Sequence, residues 1–281
     1  MNTRLKKLFI YGYGYTASHL AESLEDEYFV TGSTRNVELQ SSNKNINLIN
    51  DNLVADYLKN NHDTHILISV PPNDKGDIFI QNYSQLLIQN KNLEWVGYLS
   101  ATNVYGDHNG EFVNESSETK PLTQKGINRL LAENQWQELS SQFNFPVKIL
   151  RLAGIYGPDR NIKDRILRGV VKNIVKENQV FSRVHVEDIV SIIKLSMETI
   201  SQNYIYNIAD DLPSSLQDVI KFLCDKHQIL LPEPINIRDI EPKLLKESFF
   251  LENKKIDNSL IKKDFSFNLK YPSYREGYQN L

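Results

Sequence analysis

Gly12, Gly14 and Ala17, in the run Leu8-Phe9-Ile10-Tyr11-Gly12-Tyr13-Gly14-Tyr15-Thr16-Ala17, have the spacing of a main-chain cradle for phosphate. The apolar residues read as a buried strand and the glycines as a tight turn; an amphipathic helix follows. Gly12 can take φ values closed to other residues. Gly14 carries no Cβ, so a pyrophosphate can approach the backbone, and Ala17 is small enough for helix and strand to pack. Tyr15 and Thr16 open the helix, whose N-terminal amides and dipole favour negative charge. The chemistry is dinucleotide binding, although glycines in this pattern also mark ordinary turns. Ser33, Thr34 and Arg35 follow at the exit of the second strand, where an acidic residue would bind the ribose hydroxyls of NAD. A carboxylate would repel a 2′-phosphate, whereas hydroxyls and a guanidinium bind one, so NADP is expected over NAD, with NAD still open. The plainer alternative is a solvated arginine at a strand end. Val70 and Pro71 close the fourth strand, where they would flank such a cofactor.

Hydrophobic periodicity supplies the elements that hold these residues. Strands, some with their exits, are expected at Tyr28–Arg35, Asn45–Ile49, His65–Pro72 (stopping at the two prolines), Trp95–Gly106 and Val147–Ile155. Between them lie helices at Asp51–Leu58 and Ile78–Asn90, and a third opening at Pro121-Leu122-Thr123. Thr123 is its expected N-cap, with Ile127, Leu130, Leu131 and Leu139 on its buried face. The alternation implies an α/β chain with a doubly wound parallel sheet. Beyond Pro158 the rhythm changes. Asp159–Glu177 is charged and helical in period, Val184–Val190 opens a further helix, and Tyr204–Ala209 reads as a strand. Ser214–Lys226 is an amphipathic helix, and the proline-rich remainder from Leu231 to Leu281 suggests a small lobe.

With 281 residues, 40% hydrophobic and 24% charged, the chain has the composition of a globular protein with a large core. A net charge of −3 gives no footprint for nucleic acid or an anionic membrane, and no apolar run nears the roughly 20 residues that span a bilayer. Met1 to Lys7 runs straight into the first strand without a signal-peptide pattern, so a cytoplasmic location is expected. Cys224, the single cysteine, falls in an apolar helical pattern as a small core residue. The six histidines form no recognisable metal site; His62 and His65 read as part of a solvated turn.

Taken in order, six short motifs resemble the extended, partly atypical branch of the short-chain dehydrogenase/reductases, the NAD-dependent epimerase/dehydratase group. They are Gly12-x-Gly14-x-x-Ala17, Val104-Tyr105-Gly106, Arg151-Leu152-Ala153-Gly154-Ile155-Tyr156-Gly157-Pro158, Val184-His185-Val186-Glu187-Asp188, Tyr206-Asn207-Ile208 and Tyr271-Pro272-Ser273-Tyr274-Arg275-Glu276-Gly277. The resemblance implies a Rossmann-type cofactor domain over 1–158, completed by about 184–209, and a substrate lobe over 159–183 and 210–281. It further implies a small-molecule substrate, often a nucleotide-sugar, cofactor contacts at Ala153 and Ile155, and pairing of two copies through helices of the sheet domain. The resemblance also implies that the His185 motif mainly docks the lobe onto the sheet. The family's Ser/Thr, Tyr and Lys positions fall here on Ala101 (with Thr102 beside it), Lys125 and Arg129, none of the usual types. Arg129 can fork hydrogen bonds to ribose hydroxyls but stays charged. Lys125, one helical turn before it and partly buried, is expected to act as acid/base or amine nucleophile, with Thr102 supplying the hydroxyl. The alternative is a solvated basic face with Glu133 paired to Arg129. Two functions stay open: an NADP-dependent oxidoreductase or epimerase with an altered site, or a non-catalytic NADP-binding redox sensor or scaffold.

Overall fold

The computed structural model describes residues 5–24, 26–36, 38–39, 41–201, 203–241, 243, 249–279 and 281; Met1 to Arg4, part of the stretch read as leading into the first strand, lie outside them. In chain order the first elements are β1 (Lys6–Tyr11), α1 (Tyr15–Ser23), β2 (Tyr28–Thr34), β3 (Ile46–Asn50), α2 (Val54–Asn60), β4 (His65–Ile68), α3 (Ile78–Gln89) and β5 (Trp95–Ala101). Then follow β6 (Phe112–Val113), α4 (Gln124–Phe143), β7 (Val147–Leu152), β8 (Gly154–Tyr156), α5 (Lys163–Leu167), β9 (Asn173–Val175) and β10 (Arg183–His185). After α6 (Val186–Glu198) come β11 (Ile205–Ile208), α7 (Leu216–His227), β12 (Pro234–Asn236) and β13 (Lys255–Ile256).

Seven strands form one sheet in the order β11-β7-β5-β4-β1-β2-β3. Chain order reverses between β1 and β4, the switch point at which α/β sheets open a ligand crevice. Parallel registers put Leu8 opposite Val30 and His65, and Thr34 opposite Asn50. The expected α/β architecture is therefore present. β4 stops at Ile68, short of the two prolines.

The chain divides into two compact units, 1–100 with 128–150 and 190–205, and 101–127 with 151–189 and 206–281. In the first, Phe9, Tyr11, Ile66, Ile68, Val96 and Tyr98 pack with Phe79, Ala132 and Trp136. In the second, Tyr156, Ile166 and Val171 pack with Val219, Ile220, Leu223 and Cys224 of α7 and with Tyr274 and Tyr278. Ser215 and Asp218 close a capping box at the start of α7.

Three expectations need correction. Ile127 and Leu131 are exposed, and α4 buries Ala132, Glu133, Trp136 and Ser140 instead. Trp136 takes the buried side of the helix, and the buried carboxylate of Glu133 is tolerated because Ser100 Oγ donates to it at 2.5 Å. Over 159–177 only Lys163–Leu167 is α-helical. Gly169, at φ +67°, breaks the period, and Asn173–Val175 pairs with Pro234–Asn236 as a strand. His65 is not solvated: it lies buried on β4 between the rings of Tyr28 and Trp95, and burial pushes its imidazole down.

Candidate functional site

The turn after β1 is shaped by two glycines with different duties. Gly12 sits at φ +95°, and a Cβ there would come within 2.5 Å of Val70 Cγ2. Gly14, at the N-cap of α1, is exposed, and a Cβ on it would meet nothing within 4 Å. As N-cap, Gly14 brings no capping side chain to α1, and the first turn of the helix holds no acidic residue. Thr16 and Ala17 are buried beneath it. Tyr15 turns its carbonyl to Ser18 Oγ and the His19 ring.

β2 is tied directly to this turn. Ser33 Oγ accepts from Gly12 N at 3.1 Å, and Ser33 O accepts from Tyr13 N at 2.7 Å. Ser33 is fully buried, so it cannot face a 2′-phosphate as its sequence position suggested; Thr34 is half-buried and Arg35 exposed. The Tyr13 ring lies against Gly32, where a Cβ would stand 2.5 Å from its Cδ2. Burial pushes the Tyr13 phenol up. Val70 packs on Gly12, while Pro71 is exposed. The first unit thus brings Gly12, Tyr13, Ser33 and Val70 together at the carboxyl ends of β1, β2 and β4. These residues fit a diphosphate: bare main chain in open space, at an uncapped helix start free of competing carboxylates.

Arg129, in the same unit, donates from Nη1 to the Leu99 carbonyl at 2.6 Å. Beneath it lies a polar group of Ser100, Glu133, Tyr98 and Asp77, each almost fully buried. Asp77 caps α3 by accepting from Ile80 N at 2.9 Å, and burial raises its carboxyl against that bond and the Arg129 charge.

The remaining sequence candidates belong to the second unit. Thr102 opens a short 3₁₀ turn, Thr102–Val104, after extended Ala101. The first turn of α4 packs closely on this turn, since a Cβ at Gly126 would stand 2.8 Å from the Asn103 carbonyl oxygen. Thr123 caps the helix as expected, accepting from Gly126 N at 3.2 Å. Lys125 is exposed rather than partly buried, because this turn offers solvent its Lys125 and Ile127 side and turns Gly126 inward. Ala153 N donates to Ile208 O at 2.9 Å, and Ile155 pairs with Val184.

Sequence reading missed a buried cluster in this unit. Tyr105 Oη donates to Asn207 Oδ1 at 2.7 Å and accepts from Arg151 Nη1 at 2.9 Å, with the guanidinium 4.8 Å from its ring. Glu115 Oε1 accepts from Asn207 N at 2.8 Å. Burial dominates the raised Tyr105 phenol, and Arg151 opposes it. The available signal was the recurrence of Tyr105, Arg151 and Asn207 inside three of the six motifs. The Asp188 carboxylate accepts from Lys270 N at 2.7 Å and Tyr271 N at 3.0 Å, and the His185 ring lies 3.9 Å from that of Tyr271.

Comparison with known proteins places this geometry. A model of the NAD dependent epimerase/dehydratase family matches residues 9–209. Protein YeeZ of Escherichia coli is 29% identical over 177 residues, 62% of this chain; the match spans 58% of that curated relative's length. A functionally unknown conserved protein from Silicibacter pomeroyi superposes with TM-score 0.88 at 34% identity, covering 97% of this chain and 96% of its own. The UDP-glucuronic acid 4-epimerase from Bacillus cereus, solved with NAD, superposes with TM-score 0.76 at 18% identity, over 96% of this chain and 95% of its own, a likeness of fold.

Proposed function

The chain belongs to the NAD-dependent epimerase/dehydratase family, and from that premise we propose that it binds a nicotinamide dinucleotide, prefers NADP(H), and acts as an oxidoreductase or epimerase on a small polar or nucleotide-sugar-like substrate. The carrying observation is the uncapped start of α1 with Gly14 open to solvent. Gly12, Gly14, Tyr15, Thr16 and Ala17 would hold the diphosphate, Thr34 and Arg35 the adenosine 2′-phosphate, and Val70, Pro71, Ala153 and Ile155 the remainder. Residues 1–158, completed by about 184–209, form the cofactor domain in this reading, and 159–183 with 210–281 the substrate lobe. When bound, the nicotinamide supplies hydride transfer. Arg129, anchored to Leu99 O, orients ribose hydroxyls as a fixed cation. Lys125 exchanges a proton with a substrate hydroxyl or carbonyl, and Thr102 hydrogen-bonds the same oxygen.

A second reading has its own support. Lys125 is exposed, Arg129 is tied to the strand backbone, and Ala101 stands where the family carries a hydroxyl; together they favour a redox sensor or scaffold that binds NADP(H) without turnover. Titration of protein fluorescence with NADPH and NADH tests the shared premise: micromolar NADPH binding with weaker NADH is expected, and binding of neither overturns both readings. Incubating the NADPH complex with carbonyl substrates and nucleotide-sugars, with product analysis, separates the two. Turnover lost in Lys125→Ala supports the enzyme; turnover unchanged in that variant removes Lys125 from it.

A further inference from the structure

We infer that Ser33 is a positioning residue for the phosphate turn and takes no part in choosing between the two cofactors. The inference rests on the dinucleotide reading above for its binding arm only. Ser33 is fully buried, and its hydroxyl and carbonyl are both engaged by the turn: the hydroxyl accepts from Gly12 N and the carbonyl accepts from Tyr13 N. Gly12 is the residue held at φ +95°, a conformation in which its amide cannot join a regular ladder and needs a partner of its own. The Ser33 hydroxyl supplies that partner, while the Ser33 carbonyl accepts from Tyr13 N. The Tyr13 ring pressed against Gly32 closes the same junction from above. One residue of β2 therefore sets the path of the main chain from Gly12 to Gly14, and selection of the ribose falls to Thr34 and Arg35.

The test has two arms on the full-length protein. In cofactor-free protein, Ser33→Ala should speed amide exchange at Gly12 and Tyr13 roughly tenfold, the loss of one buried hydrogen bond, and leave Ile66 to Ile68 of β4 protected. The same variant should weaken NADPH and NADH alike, by roughly tenfold each, with their ratio unchanged. Ser33→Cys, of similar size but a poor acceptor, should behave as the alanine variant does and guards against a misfolded Ser33→Ala. Unchanged Gly12 exchange, or loss of NADPH affinity alone, overturns the inference. Faster exchange in a protein that binds neither cofactor would uphold the positioning role and overturn the dinucleotide reading instead.

Discussion

The phosphate turn and the Tyr105 cluster solve opposite problems. The turn after β1 is made of backbone: its shape depends on what Gly12 and Gly14 lack, and its side-chain partner Ser33 is borrowed from β2. The cluster after β5 is made of side chains, with Tyr105, Arg151, Asn207 and Glu115 satisfying one another below the surface. A backbone site keeps its function through changes in neighbouring side chains, so a fingerprint survives there. A side-chain site leaves its signature scattered over several short motifs, because its meaning lies in partners distant in sequence, such as Tyr105 and Asn207.

Four measurements would break or sharpen this contrast. Gly12→Ala should have the largest effect: strain at φ +95° and the clash with Val70 cost about 2–4 kcal/mol of stability by denaturant unfolding. Gly14→Ala is its control. Its Cβ meets nothing, so stability should stay within about 0.5 kcal/mol while NADPH affinity falls; equal destabilisation by both variants would erase the division of duties. Arg35→Ala should weaken NADPH roughly tenfold or more and leave NADH unchanged in the same titration. Tyr105→Phe leaves Asn207 Oδ1 and Arg151 Nη1 without the phenol and should cost about 2 kcal/mol, with cofactor affinity intact.

The smallest effect concerns pH. Asp210, in the second unit, is buried, and burial raises its carboxyl from 3.8 to about 8, with the Arg183 charge pulling the other way. The folded state therefore holds the proton more tightly than the unfolded chain. Its contribution is whole below pH 3.8 and is lost as pH rises toward 8. Asp210→Asn should flatten that fall, seen as a Tm at pH 8 a few degrees above that of the parent. His65 works in the opposite sense in the first unit. With its imidazole pushed below the ordinary 6.5, stability is lost as pH drops under that value.

Much of the fold was legible because alternating apolar runs and glycine turns are local signals. Gly12-x-Gly14-x-x-Ala17 marked the turn, and Thr123 marked the start of α4. What failed was decided at a distance. Ser33 looked like a phosphate ligand because its partner, Gly12 N, is 21 residues away. Ile127 and Leu131 looked like core because nothing local says that Glu133 can be buried against Ser100. Residues 173–175 kept a helical period yet pair with 234–236. Around the candidate chemistry, Lys125 and Arg129 were placed correctly on one helix, but exposure of the first and anchorage of the second are properties of packing.

β11 is an outermost strand of the sheet, and such a margin is a template on which another chain can add itself. The Glu115 carboxylate already occupies one of its amides, at Asn207. Asn207 is itself fully buried, and its side chain donates to the Asp257 carbonyl at 3.1 Å, so this position of the rim is closed by the chain's own residues. Loss of Glu115 would take the carboxylate from a buried amide, at a cost of about 1–3 kcal/mol in stability rather than an opened edge.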